Sequence, residues 1–163
     1  MAQDYSFDVV SQFDRQELVN AVNQAQREIT TRYDFKDTGA SIELGDGEIT
    51  LQGPSDFKLK AMLDVLQSKF VKRNLSLKIL KPGPIEPAAK SSVRQKLELQ
   101  EGIDDELARS LVKQIKQISP KVQPRIQGDL IRVSSRDKDM LQQVIQALKA
   151  EETSVPLQFI NYR

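Results

Sequence analysis

The stretch Leu44-Gly45-Asp46-Gly47-Glu48-Ile49-Thr50-Leu51 and, 82 positions on, Ile126-Gln127-Gly128-Asp129-Leu130-Ile131-Arg132-Val133 share one pattern. Apolar residues alternate with polar ones on both sides of a short glycine-aspartate segment. Alternation puts one set of side chains on one face of a strand, and aspartate and glycine supply the positive φ of a tight turn. Each stretch is expected to be a β-hairpin. Downstream the match continues without a gap: Leu59 answers to Leu141, Met62 to Val144, Leu63 to Ile145 and Leu66 to Leu148. These form an apolar stripe at helical spacing. Two hairpin-helix units with one pattern point to an internal duplication.

Outward from the hairpins, each half gains a strand and a helix in front and a strand behind. Ser6 to Gln12 alternates as a strand. Asp14 follows as an N-cap, with Glu17 in the capping-box position and Phe13 and Leu18 placed for a hydrophobic staple. That helix turns Leu18, Val22, Ala25 and Ile29 inward and leaves Gln24, Gln26, Arg27 and Glu28 to solvent. The helix after the first hairpin runs from Asp56 to Val71. Lys69, Lys72 and Arg73 suit the negative end of its dipole. Leu75, Leu77 and Ile79 then read as a strand, and KPGPIEPAAKSS (81–92) as a linker. In the second half Val93, Gln95, Leu97 and Leu99 form a strand, and Asp104 or Asp105 opens a helix that stops before Pro120. Its inward residues are Leu107, Leu111, Ile115 and Ile118, and the acids Asp104, Asp105 and Glu106 favour its positive end. A last helix covers Arg136 to Ala150 and a last strand Leu157 to Tyr162. The order β-α-β-β-α-β, twice over, defines an α+β protein of two ferredoxin-like domains.

The repeat also assigns faces. Ile49, Leu51, Ile131 and Val133 point to the helices, which turns Thr50, Gln52, Leu130 and Arg132 to the open face of their sheets. Neither EITLQ (48–52) nor DLIRVS (129–134) contains an aromatic residue. This argues against base stacking on those strands.

The 163 residues are 39% hydrophobic and 29% charged, as in an ordinary globular protein. Cysteine and histidine are both absent. That removes disulfides, thiolate and imidazole metal sites, and the usual base for a serine nucleophile. Gly45-Asp46-Gly47 is too short for a phosphate loop. No enzyme activity, metal or cofactor is expected. No run is long and apolar enough to cross a bilayer. The start, MAQDYSFD, lacks the basic and apolar regions of a leader, so a cytoplasmic protein without membrane contact is expected.

Net charge is only +1, but from Arg109 to Lys138 eight basic residues face two acidic ones. Within that stretch Arg125, Arg132 and Arg136 come from a strand, its hairpin partner and the next helix start. The topology brings these together, and clustered guanidiniums suit phosphate.

SFDVVS (6–11), RYDFKD (32–37), QGDLIRV (127–133) and PLQFINYR (156–163) resemble the YajQ family of small bacterial proteins, and the likeness runs over essentially the whole chain. The resemblance implies two ferredoxin-like domains that exchange their first strands. One would span 14–99, with the strand near 93–99 exchanged in, and the other 1–13 with 100–163. It further implies nucleotide binding, with a cyclic dinucleotide such as cyclic di-GMP, or a GTP-like nucleotide, as ligand and RNA as an older suggestion. Carried onto this chain, it points to Lys36 for phosphate, Phe35 for base stacking, Arg132 on the open face, and Arg163, with core as the competing reading of Phe35 and likewise of Tyr33. The segment LELQEGI (97–103) departs from the family pattern: Glu98 and Glu101 stand where relatives carry lysine before the glycine. The expected function is non-enzymatic nucleotide binding through Phe35, Lys36, Arg125, Arg132, Arg136 and Arg163, with a protein partner such as a transcription regulator. The alternatives are RNA binding by the basic stretch 109–138 and a protein-interaction scaffold with no small ligand.

Overall fold

The computed structural model describes residues 4–163; residues 1–3, where the leader reading begins, lie outside it. Four helices and two four-stranded antiparallel sheets fall into two compact units, an α+β architecture consistent with two ferredoxin-like domains. One unit is Phe13–Gln100; the other joins the described residues up to Gln12 to Glu101–Arg163.

In the Phe13–Gln100 unit, α1 (Arg15–Thr31) and α2 (Asp56–Lys72) pack on a sheet of β2 (Ser41–Leu44), β3 (Glu48–Gly53), β4 (Leu80–Pro87) and β5 (Val93–Leu99). The strand order is β2-β3-β5-β4. Leu18, Val22, Leu59, Leu66, Ile49 and Leu97 meet in its core, each contributing about 1.5–3 kcal/mol by leaving water. Asp14 caps α1, accepting from the N–H groups of Gln16 and Glu17. Glu17 does not close the expected capping box, because its carboxylate pairs with Arg73 at 3.3 Å. The polar side of α1 is likewise more than solvated: Gln26 donates to the Ile42 carbonyl at 2.7 Å, and Glu28 pairs with Lys69 at 2.8 Å.

Two expectations fail here. Leu77–Ile79 is a 3-10 turn rather than a strand, and the segment read as a linker forms β4. The prolines misled the reading: Pro82, Pro84 and Pro87 cannot donate to a ladder, but β4 is an edge strand paired only with β5, where prolines are tolerated. The register shifts between Pro82 and Ile85. There a Cβ on Gly83 would stand 3.1 Å from the Lys96 carbonyl.

In the other unit, α3 (Asp105–Ile118) and α4 (Lys138–Ala150) pack on β1 (Tyr5–Val10), β6 (Gln123–Gln127), β7 (Leu130–Ser135) and β8 (Gln158–Ile160), ordered β6-β7-β1-β8. Phe7, Val9, Ile131 and Val133 face the helices and meet Leu111, Ile115, Val144 and Leu148. Asp104 and Asp137 cap the two helices.

The two hairpin turns differ. Gly128 takes φ +60°, as the second turn was expected to require. None of Gly45, Asp46 and Gly47 has a positive φ, which corrects the reading of the first. Instead Gly45 N–H closes on the Glu48 carbonyl at 2.8 Å, and the Arg15 guanidinium ties down the carbonyls of Gly45 (2.9 Å) and Asp46 (3.1 Å).

Candidate functional site

Strand register decides which side chains share a face. In the sheet β6-β7-β1-β8, Arg125 is opposite Arg132, Arg132 is opposite Asp8, and Asp8 is opposite Ile160. One row therefore crosses all four strands on the outer face, the side turned away from α3 and α4. Two arginines are register neighbours in it, followed by an aspartate.

That carboxylate is only 1% exposed. A buried charge must be paired and hydrogen-bonded. Arg132 Nε donates to Asp8 Oδ1 at 2.9 Å and Arg132 Nη2 to Oδ2 at 3.4 Å; Asn161 Nδ2 adds a bond to Oδ2 at 2.8 Å. The Arg132 bonds hold the Asp8 carboxyl below the usual carboxylate range, against burial that pushes it up, with Asn161 and the charge of Arg163 helping to lower it. Asp8 in turn raises the Arg132 guanidinium. Arg132 keeps 38% of its side chain exposed. Its orientation is thus set by a buried acid while its remaining N–H groups face solvent.

A bulge supplies Asn161. Asp8 pairs with Ile160, yet Ser6 and Arg163 exchange reciprocal backbone hydrogen bonds at 3.2 and 3.0 Å. Two steps on β1 thus match three on the strand opposite. Asn161, with φ +59°, absorbs the extra residue; asparagine tolerates this conformation better than most. The bulge lets Arg163 pair across from Ser6, whose register puts it on the same face as Asp8.

The other candidates fall elsewhere. Arg125 is exposed on β6, and among the described residues no ion pair holds it. Arg136 is exposed at the entry to α4, 3.7 Å from Asp4, and does not join the row. Phe35 and Lys36 belong to the Phe13–Gln100 unit. Phe35 is 3% exposed and part of the core, with Arg32 and Lys58 over its ring at 5.1 and 5.5 Å. It offers no open face for stacking. Tyr33, read toward the core, is instead 93% exposed. RYDFKD builds a turn: Arg32 grips Asp34 through Nε (2.9 Å) and Nη2 (2.7 Å), and Lys58 donates to the Asp34 carbonyl at 2.7 Å. Lys36 is exposed on that turn.

Asp8 and Asn161 were missed by sequence reasoning. The available signal was a carboxylate in SFDVVS on the side of the strand opposite Phe7 and Val9, a position that needs a cation once the strand is central. Asn161 gave no sequence signal, because a bulge has none of its own.

Among the described residues no three acidic side chains are placed to hold a metal ion, and no helix is long and apolar enough to cross a membrane. The outer face of this sheet thus carries Arg125, Arg132 and Arg163 around one buried acid. Residues 5–163 match the family described as "Nucleotide-binding protein YajQ-like", and the chain belongs to that family. A protein of Trichodesmium erythraeum named "Nucleotide-binding protein" is 55% identical over 163 residues, covering all of both chains. A Synechococcus elongatus protein with the same descriptor is 54% identical over the same span, and one from a Roseiflexus strain is 50% identical over 165 residues, again covering both chains fully.

Proposed function

We propose that this chain binds a phosphorylated nucleotide on the outer face of the sheet β6-β7-β1-β8 and does no chemistry on it. The observation that carries the reading is the Arg125–Arg132–Asp8 row, in which a buried carboxylate fixes one guanidinium beside a second that is free to close on a phosphate. Two neighbouring guanidiniums suit a ligand with two phosphates or a polyphosphate, so a cyclic dinucleotide such as cyclic di-GMP, or GTP, is the ligand class. The names of the relatives support nucleotide binding. The lack of histidine and cysteine supports the non-catalytic reading. We further read the two units as ferredoxin-like domains of a duplicated chain with exchanged first strands. The strand orders favour this, since β1 pairs with β7 and β8 while β5 pairs with β3 and β4. Ligand binding would then modulate a surface offered to a cytoplasmic protein partner such as a transcription regulator.

The test is calorimetric titration of the whole protein with cyclic di-GMP, GTP and a short single-stranded RNA, each at low and physiological salt. Saturable binding of a nucleotide, lost or weakened at least tenfold in Arg125→Ala and Arg132→Ala, is expected. Binding of RNA alone, with a steep salt dependence, would transfer the function to the basic stretch 109–138. No heat with any of the three would overturn the nucleotide reading and leave a scaffold.

A further inference from the structure

The Asn161 bulge has a second effect. By inserting one residue it turns Tyr162 toward the helix side of β1, where its ring lies 6.2 Å from that of Phe7. Between this turn and α4 lies a slot of about 200 Å³. Its floor is apolar, from Phe7, Leu141 and Ile145. Tyr5 and Tyr162 stand on its walls, 40% and 60% exposed. Lys138 and Arg163 line it, and no acidic side chain is among the described residues that do. Two tyrosine rings beside one slot offer flat apolar faces against which a planar ring can stack.

We infer that the slot between the Asn161 bulge and α4 seats a single nucleobase, with the attached phosphate reaching Lys138. The size fits one ring system and no more, being below the roughly 300 Å³ at which pockets for drug-sized ligands begin. A cyclic dinucleotide would place one base here and leave the other outside. The larger neighbouring cleft, about 790 Å³ on the other side of Tyr5 and Lys138, is the weaker candidate. There Lys121, Arg136 and Lys138 are matched by Asp4, Asp137 and Asp139, which leaves no surplus charge for an anion. The inference rests on the nucleotide reading above only in that the ligand is a nucleotide; it seats the base on the helix side of β1, apart from the Arg125–Arg132–Asp8 row.

The chain has three tyrosines and no tryptophan, which makes the test direct. Protein labelled with 3-fluorotyrosine gives three fluorine resonances, assigned with Tyr5→Phe, Tyr33→Phe and Tyr162→Phe. Addition of GMP is expected to shift the Tyr5 and Tyr162 signals and leave Tyr33, in the other unit, in place. Inorganic phosphate alone should not reproduce the shift. Tyr162→Ala, at an exposed position, should weaken GMP and cyclic di-GMP roughly tenfold, the usual effect of losing one stacking partner. Gln142→Trp, which sets an indole over the slot from the exposed side of α4, should do the same with the circular dichroism unchanged. Nucleotide binding that is lost in Arg132→Ala but never moves Tyr5 or Tyr162 would overturn the slot and leave the sheet-face reading intact. Tyrosine shifts that persist in Arg132→Ala would support the slot and count against the sheet face. Tyr5 and Tyr162 signals that stay fixed with every nucleotide at millimolar concentration would overturn it outright.

Discussion

The two sheets have matching cores and opposed outer faces. Ile49 and Leu97 are paired and buried in one, Ile131 and Val9 in the other. One residue along, the likeness stops. Arg132 meets Asp8 in the sheet β6-β7-β1-β8, whereas at the matching place Thr50 meets Lys96. Around that place the first face gathers Arg125 and Arg163, and the second sets Glu48 directly opposite Glu98, with Lys96 3.9 Å from Glu48 and Arg94 3.7 Å from Glu86. A core pattern constrains only alternate residues of a strand. The residues between are free to diverge, and only one of these two faces has an acid buried deeply enough to fix a cation in position.

The largest expected effect tests that asymmetry. Asp8→Asn removes a buried carboxylate with three hydrogen bonds and should cost about 2 kcal/mol, lowering Tm by about 5 °C. Glu48→Gln, which breaks an exposed 3.9 Å pair on the other face, should change stability by less than about 0.5 kcal/mol. Equal losses in thermal unfolding would mean that burial does not distinguish the two faces.

The pH dependence should separate them as well. The folded Asp8 carboxyl titrates below its ordinary value because Arg132 donates to it. Its contribution is therefore complete above the unfolded value of about 3.9 and is lost as pH falls through the lower folded value. The Tm gap between the wild type and Asp8→Asn should stay constant from pH 8 to about pH 5 and close in more acidic solution. A gap that instead widened with acid would mean that the carboxyl is held protonated.

Charge reversal is the next step down. Arg125→Glu should weaken nucleotide binding about tenfold in low salt and less as salt screens the change. Lys96→Glu, on the other face, should leave affinity within about twofold. A comparable loss from Lys96→Glu would move the ligand off the arginine face.

Much of this was legible in the sequence, and the failures share a cause. The hairpins, the four helices and the outward placement of Arg132 follow from periods of two and about three and a half residues, which burial enforces. The strand 80–87 was invisible because an edge strand buries little and can hold three prolines, so it carries neither signal. Phe35 and Tyr33 were read alike, both toward the core, for a related reason. They sit two residues apart in an irregular turn, where no period tells inside from outside, and the structure buries the first and exposes the second. Asp8 needed knowledge of its neighbours. A lone acid in a strand looks like a solvated one until Arg132, 124 residues away, is known to lie beside it.

The smallest expected effect concerns the two turns with which the repeat is most easily read. Gly128 holds φ +60° with nothing within 4 Å of where a Cβ would stand, so Gly128→Ala meets no clash and loses only on backbone conformation, about 1 kcal/mol. Gly47 has equal room and no positive φ. Gly47→Ala should then be neutral, or stabilising by a few tenths of a kcal/mol through the unfolded chain. Arg15→Ala should be the change to which the first turn responds, because the guanidinium bonds to the carbonyls of Gly45 and Asp46 take the place of a special backbone conformation. If Gly47→Ala proves as costly as Gly128→Ala, the two turns share one conformation in solution. The divergence between the halves would then be confined to their sheet faces.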